Sequence, residues 1–207
     1  MTEQDMTKER KNTIAYYDEH AAEFVENTRD AVFTDIQENF VRYMPKGGKI
    51  LDFGCGSGRD TKYFLDAGFQ VEAIDGSREI CKLASEYTGI DVLCMDFTDF
   101  SAPMHYEGIW ACASLLHLGR EELEKVFGKL YEALKLNGLL YASFKLGTFE
   151  GEKNGRYFTY MEEESVKELL EKYPGFLVES LWVSRDVRPG RENESWINFM
   201  LRKKMEL

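Results

Sequence analysis

The chain has 207 residues, 43% of them hydrophobic and 30% charged, a balance that supports one globular domain with a real core and excludes a disordered chain. Its formal net charge of −11 argues against a polyanionic partner such as DNA, RNA or an acidic membrane surface. No apolar run approaches the roughly 18 residues of a membrane span, and Met1–Asn12 is polar and lacks the apolar stretch of a secretory signal, so a cytoplasmic location is expected.

In chain order, apolar and aromatic residues recur near a 3.6-residue period at Ile14, Tyr17, Ala21, Phe24 and Val25, then at Phe33, Ile36, Phe40 and Tyr43, which predicts helices. Pro45 and Gly47-Gly48 end them. From Lys49 strands and helices alternate. Strands are predicted over Lys49–Phe53, Gln70–Ile74, Asp91–Met95, Gly108–Ala113 and Leu139–Phe144, with helices after the first strand up to Ala67-Gly68, over Ser77–Tyr87, and over Glu121–Leu136 closed by Asn137-Gly138. Strands apolar on both faces and joined by helices imply a parallel sheet covered on both sides. After a helix over Met161–Tyr173, two long strand-like runs, Phe176–Val187 and Ser195–Leu201, are joined by a short polar turn, which requires an antiparallel pair. The expected architecture is an α/β, doubly wound, mostly parallel seven-stranded sheet with an antiparallel C-terminal hairpin. One domain is expected, with residues 1–45 a helical lid and 46–207 a Rossmann-like core.

The four cysteines, Cys55, Cys81, Cys94 and Cys112, form no Cys-x-x-Cys pair, and His20, His105 and His117 stand at no zinc-ligand spacing from them. Neither disulfides nor a metal are expected, and Cys94 and Cys112 read as small hydrophobes within strands. Arg202-Lys203-Lys204 reads as a solubilising end to the last strand.

The segment Ile50-Leu51-Asp52-Phe53-Gly54-Cys55-Gly56-Ser57-Gly58-Arg59-Asp60 runs a strand into three alternate glycines and then a helix. Glycine there permits positive φ and close approach of the backbone to a ligand, and in open α/β sheets ligands bind beyond the carboxyl ends of strands. Asp75, 17 residues after Gly58 and followed by Gly76-Ser77, ends the second strand. It can accept both hydroxyls of a ribose, or it can cap the turn before Ser77. A nicotinamide dehydrogenase would need Gly-x-Gly-x-x-Gly. Counted from Gly54, the third glycine falls at Arg59, so the spacing argues against a dinucleotide.

Residues 49–145 resemble the core of a class I S-adenosylmethionine-dependent methyltransferase of the small-molecule type, and the C-terminal hairpin resembles that family's last two strands. Asp52-x-Gly54-x-Gly56-x-Gly58 is similar to the family's first motif and Asp75 to its ribose-binding acid. The resemblance implies S-adenosylmethionine as cofactor. It implies an adenine site at Asp96 and Phe97, with Asp96 accepting from the exocyclic amine, and a methionine end flanked by Ala113 and Ser114. Arg59 then faces the cofactor carboxylate, unless it is an ordinary helix-start residue. The segments around Tyr16-Tyr17-Asp18 and Thr28-Arg29-Asp30 resemble the family's N-terminal lid, with Tyr17 a cofactor contact, although a tyrosine stripe at helical spacing also serves as plain core.

His117 is the histidine nearest the expected cleft and is either a general base or a packed residue. The glycine-rich, aromatic segment 145–160 reads as an acceptor-facing flap or a surface loop. Arg156, Tyr157 and Tyr160 are its candidate substrate contacts, and Thr159 and Glu162 are spaced as a capping box. Ala111-Cys112-Ala113-Ser114 departs from the Asp/Asn-Pro-Pro-Tyr segment of enzymes that methylate base amino groups. The expected activity is methyl transfer to a small-molecule or peptide acceptor, without nucleic acid or membrane. The alternatives are a non-catalytic S-adenosylmethionine-binding regulator and, disfavoured by Arg59, a dehydrogenase.

Overall fold

The computed structural model describes residues 7–188 and 190–204; the first six residues, part of the signal-peptide reading, and Pro189 of the C-terminal turn lie outside it. Three helices come first, α1 (Lys8–Glu19), α2 (Ala21–Thr28) and α3 (Thr34–Arg42). Then follow β1 (Lys49–Phe53), α4 (Arg59–Asp66), β2 (Gln70–Asp75), α5 (Arg78–Thr88), β3 (Leu93–Cys94), β4 (Tyr106–Ala111), α6 (Arg120–Ala133) and β5 (Leu134–Lys145). The chain continues through β6 (Glu150–Lys153), β7 (Arg156–Thr159), α7 (Glu163–Glu171), β8 (Phe176–Arg185) and β9 (Ser195–Lys203).

Seven strands form one sheet in the order β3-β2-β1-β4-β5-β9-β8, and β6 and β7 form a separate hairpin. The strands from β1 to β5 are parallel, while β9 runs antiparallel to both β5 and β8. The sheet is the doubly wound, mostly parallel one expected. Alternation along β1 sends Leu51 and Phe53 into a core with Leu123, Val126, Phe127 and Leu130 of α6 and Val166 of α7. Ile50 goes to the other face, against Phe40 of α3, Phe64 of α4, Trp110 and Tyr141. β1 has parallel neighbours on both sides, β2 and β4. The strand order therefore reverses at β1, and a crevice opens beyond the carboxyl ends of β1 and β4.

Several expected boundaries move. The third strand is only the two residues of β3, with Leu93 and Cys94 exposed, so Cys94 is not a buried hydrophobe. The long helix stops at Ala133 instead of Leu136, because Leu134 turns extended and pairs with Tyr106. The N–H groups of Met104 and His105 take the carbonyls of Glu132 and Ala133 that the helix leaves free. The 159–162 capping box does not form. Thr159 Oγ1 donates to the Leu118 carbonyl instead, and α7 starts from Glu162 without a side-chain cap. Lys203 is buried and reaches the carbonyls of Tyr131 and Leu134, so it anchors the last strand as well as ending it.

Candidate functional site

The turn after β1 is a cradle made by positive φ. Gly54, Gly56 and Gly58 lie at φ 81°, 54° and 77°. A Cβ at Gly54 would sit 2.3 Å from Ser114 Cβ and 2.9 Å from the Phe97 ring, so the residue is bound to be glycine by strain and by space. Gly58 has a different task. Its Cα packs toward Thr88 and Ala84 of α5 and it opens α4, so it does not line the crevice. Asp52 does not line it either. It is buried under the cradle, accepts from Thr61 Oγ1 at 2.5 Å, and its pKa is pushed up to about 8 by burial and by the nearby Asp60 charge. Both residues act on the shape of the turn from behind.

Asp75, Gly76 and Ser77 line the crevice at the end of β2. Asp75 makes the turn bond that the sequence offered as one of its two roles. Oδ1 accepts from the Ser77 N–H at 3.0 Å, a turn bond, while Oδ2 accepts from the Gly56 N–H at 3.1 Å and ties the second strand to the cradle. Burial raises its pKa against the effect of these N–H donors. Ser77 caps α5 by accepting from the Ile80 N–H, and its own hydroxyl donates to Asp18 of α1.

Asp96 and Phe97 follow β3 and also line the crevice. Oδ1 of Asp96 accepts from the Thr98 N–H and hydroxyl. Oδ2 lies 3.0 Å from Arg10 Nε but off the hydrogen-bonding direction, so this buried oxygen has no hydrogen-bond donor. Arg10 itself, buried on α1, also donates to Glu122 at 2.8 Å. Phe97 packs on Phe53 with ring centroids 4.4 Å apart and the planes tilted by 36°. Beyond β4, Ala113 is held at φ 52° with its N–H on Ser143 Oγ, and the buried Ser114 Oγ has no partner. Among the described residues Asp96 Oδ2 and Ser114 Oγ thus lack a hydrogen-bond partner, although Asp96 is ion-paired with Arg10.

Arg59 lines the crevice, but its guanidinium is half engaged. Nε and Nη2 donate to the two oxygens of Asp60 at 2.8 Å each, and the group lies 4.6 Å from the Phe33 ring. Burial opposes ionisation of Asp60, yet Arg59, Trp110 and Gln37 together hold its carboxyl below the usual range. Gln37 belongs to α3. That helix is thus a core element and not part of the expected 1–45 lid, with Phe40 fully buried against Phe64 and Trp110 and Tyr43 exposed, whereas α1 and α2 contribute residues such as Tyr17 and Phe24 to the crevice wall.

Tyr17 lines the crevice from α1, and its hydroxyl lies 2.8 Å from His117 Nε2. His117 Nδ1 is 2.7 Å from the Tyr157 carbonyl, which can only accept. Nδ1 therefore carries the proton, and Nε2 accepts from Tyr17. Burial lowers the His117 pKa to about 4, so the ring is neutral at pH 7. Burial also raises the Tyr17 pKa, against the lowering effect of Arg156. Segment 145–160 is the β6–β7 hairpin, and it brings Arg156 to the crevice. Tyr157 and Tyr160 are not brought there: the Tyr157 hydroxyl donates to Glu150, and Tyr160 packs on Phe149 and Phe158. In a hairpin alternate side chains face opposite ways, so Arg156 and Tyr157 cannot share a face.

The crevice also has walls the sequence did not reveal, including Arg10, Lys145, Arg188 and Trp196. The buried Arg10 inside an otherwise weakly amphipathic helix is a signal that sequence reasoning passed over. Burial pushes the Cys112 thiol up to about 12, beyond nucleophilic use near neutral pH. Among the described residues no cluster of His, Cys, Asp and Glu could hold a metal ion, and no helix is long and apolar enough to cross a membrane.

Residues 50–138 match the methyltransferase-domain family. An uncharacterized methyltransferase of Oceanobacillus iheyensis is 31% identical over 134 residues, 63% of this chain and 54% of that protein. The chain spans about half the length of the curated relatives it matches. In overall fold it is similar to the 1,6-didemethyltoxoflavin-N1-methyltransferase of Burkholderia thailandensis, solved with 1,6-didemethyltoxoflavin and S-adenosylhomocysteine bound. That likeness has a TM-score of 0.74 and 19% identity, and covers 95% of this chain and 87% of the other. It is also similar to the [4+2]-cyclase SpnF, with a TM-score of 0.70 and 16% identity over 93% of this chain and 95% of that one. The domain match and the fold agree: residues 50–138 form a methyltransferase domain, in a fold shared with the 1,6-didemethyltoxoflavin-N1-methyltransferase.

Proposed function

We propose that the protein transfers a methyl group from S-adenosylmethionine to a small-molecule acceptor. The observation that carries this reading is a single crevice lined by the glycine cradle, Asp75 and Asp96 together with Tyr17, His117 and Arg156. The donor set suits the cofactor. Asp75 offers a carboxylate beside the cradle for ribose hydroxyls, Asp96 Oδ2 is a buried acceptor without a donor, and Ser114 Oγ is a buried hydroxyl without a partner. When bound, S-adenosylmethionine supplies an electrophilic methyl group on a sulfonium. Cytoplasmic location and a lid formed by α1 and α2 belong to the same reading.

The protein's part is positioning and proton management. Holding an acceptor in line and close supplies most of the rate for an already nucleophilic atom. His117 is neutral and its tautomer is held by the Tyr157 carbonyl, so Nε2 is the one proton acceptor of the ring. A base near 4 is too weak to deprotonate an unactivated hydroxyl beforehand. It suits an acceptor that sheds its proton as the bond forms, with Tyr17 relaying it. Incubation with methyl-labelled S-adenosylmethionine and a metabolite panel tests the reading. Label on a small molecule supports it, and cofactor binding without transfer to any panel member favours the non-catalytic alternative.

A further inference from the structure

The acceptor end of the crevice has a charge at odds with the rest of the chain, and the following inference rests on the methyltransferase reading. Although the net charge is −11, this end is lined by Lys145, Arg156, Arg185, Arg188 and Arg191. Among the described residues two carboxylates answer them. Asp186 takes Arg188 through bonds of 2.9 and 2.5 Å, and Glu194 pairs with Lys145 and lies 3.7 Å from Arg191. Among the described residues Arg156 and Arg185 have no carboxylate partner. Arg185, at the rim, reaches only Ser195 Oγ, at 3.5 Å.

Arg156 is the more telling of the two. Its guanidinium lies 4.5, 5.6 and 5.2 Å from the ring centroids of Tyr16, Tyr17 and Phe158. Its Nη1 reaches the Tyr17 hydroxyl at 3.4 Å, and its Nε is buried without a hydrogen-bond partner. Three rings steady the cation and shut water from part of it, yet supply no counter-charge. A half-buried guanidinium with free donors is most stabilised by a planar anion taken through two N–H groups. The acids at the opposite end cannot serve. Asp60 is held by Arg59, Asp75 by two backbone N–H groups, and Asp96 by Thr98 and Arg10.

We propose that Arg156, assisted by Arg185, seats a carboxylate of the methyl acceptor, whose apolar body rests against Phe158 and Trp196. The acceptor is then an anionic small molecule, not a neutral heterocycle or a cationic amine. Because Tyr17 touches both Arg156 and His117, the seat fixes the acceptor's anionic end beside the group that takes its proton.

The test uses the full chain saturated with S-adenosylhomocysteine and a panel of aryl and alkyl carboxylates, phenylacetate among them, each paired with its primary amide. Calorimetry is expected to show at least one acid binding tenfold or more tighter than its amide. Arg156→Gln should remove that preference, and Arg185→Gln should reduce it about two- to threefold. S-adenosylhomocysteine affinity in Arg156→Gln should stay within about twofold of wild type. No acid exceeding its amide, or a preference that survives Arg156→Gln, overturns the proposal. A large loss of S-adenosylhomocysteine affinity in Arg156→Gln also overturns it, by assigning Arg156 to the cofactor's own carboxylate. Should Arg156→Gln fail to fold, the rim variant Arg185→Gln decides, and an unchanged preference there counts against the seat. Failure of the wild type to bind S-adenosylhomocysteine at all defeats the methyltransferase reading instead, so the two are separable.

Discussion

The two ends of the crevice are built by different means. At the proposed cofactor end, the cradle, Asp75 and Asp96 sit at or just beyond the carboxyl ends of sheet strands, so position follows from the local strand–turn–helix geometry. At the acceptor end, Tyr17 comes from the first helix, His117 from a 3-10 turn after β4, Arg156 from a hairpin outside the main sheet and Trp196 from β9. The first end is held by backbone strain and N–H bonds, the second by long-range side-chain contacts such as Tyr17 to His117 at 2.8 Å. A family can thus keep its cofactor end while the acceptor end changes by substitution at scattered positions. The cyclase SpnF among the fold neighbours shows how little the fold alone fixes the chemistry.

The comparison can be broken first at the cradle. Gly54→Ala combines a left-handed backbone with a Cβ overlap on Ser114, and is expected to lose about 2–5 kcal/mol of stability. Gly68→Ala shares the positive φ but meets open space, and should lose only about 1–2 kcal/mol. Equal losses in urea titrations would show that strain alone, not close packing against Ser114, governs the cradle. Asp75→Ala should weaken S-adenosylhomocysteine binding by about 2–4 kcal/mol, since two hydrogen bonds to a charged group are removed and do not add fully. Unchanged affinity in a folded variant would leave Asp75 only its turn bonds to Ser77 and Gly56.

The acceptor end can be sharpened by pH. The folded His117 pKa is about 4, below its ordinary 6.5, so the unfolded chain takes up a proton that the folded one refuses. Its stabilising effect is complete above about pH 6.5 and is lost as pH falls toward 4, a decline of up to about 3 kcal/mol. Denaturation midpoints of wild type and His117→Gln, compared at pH 7, 5.5 and 4, should converge as pH falls, because carboxylate effects are common to both. Parallel curves would mean that His117 has the same pKa folded and unfolded, so that burial does not lower it. The smallest expected effect is in hydrogen exchange. S-adenosylhomocysteine should protect α1 and α2, which line the crevice, and leave α3 unchanged, because α3 packs on the sheet through Phe40. Equal protection of all three helices would restore α3 to the lid.

Legibility followed the same division. The sheet and its hairpin were readable because apolar runs and glycine turns report local geometry, and ten of the cofactor-end residues named from the sequence, from Gly54 to Ser114, do line the crevice. Asp52 and Gly58 were placed in the right motif but lie behind the turn, a distinction that depends on Thr61, Thr88 and Ala84. Tyr157 and Tyr160 were misplaced because segment 145–160 lacks the alternation that would announce a hairpin, and one residue of register decides which side chain faces in. The Asp60 network with Gln37 and Trp110 joins residues far apart in sequence, so no spacing rule reports it.

Calorimetric titration of the full chain with S-adenosylhomocysteine, with NAD as the competing ligand, tests the central claim most directly. The account predicts one saturable S-adenosylhomocysteine site per chain and no binding heat from NAD, whereas saturable NAD binding without any S-adenosylhomocysteine binding would contradict it.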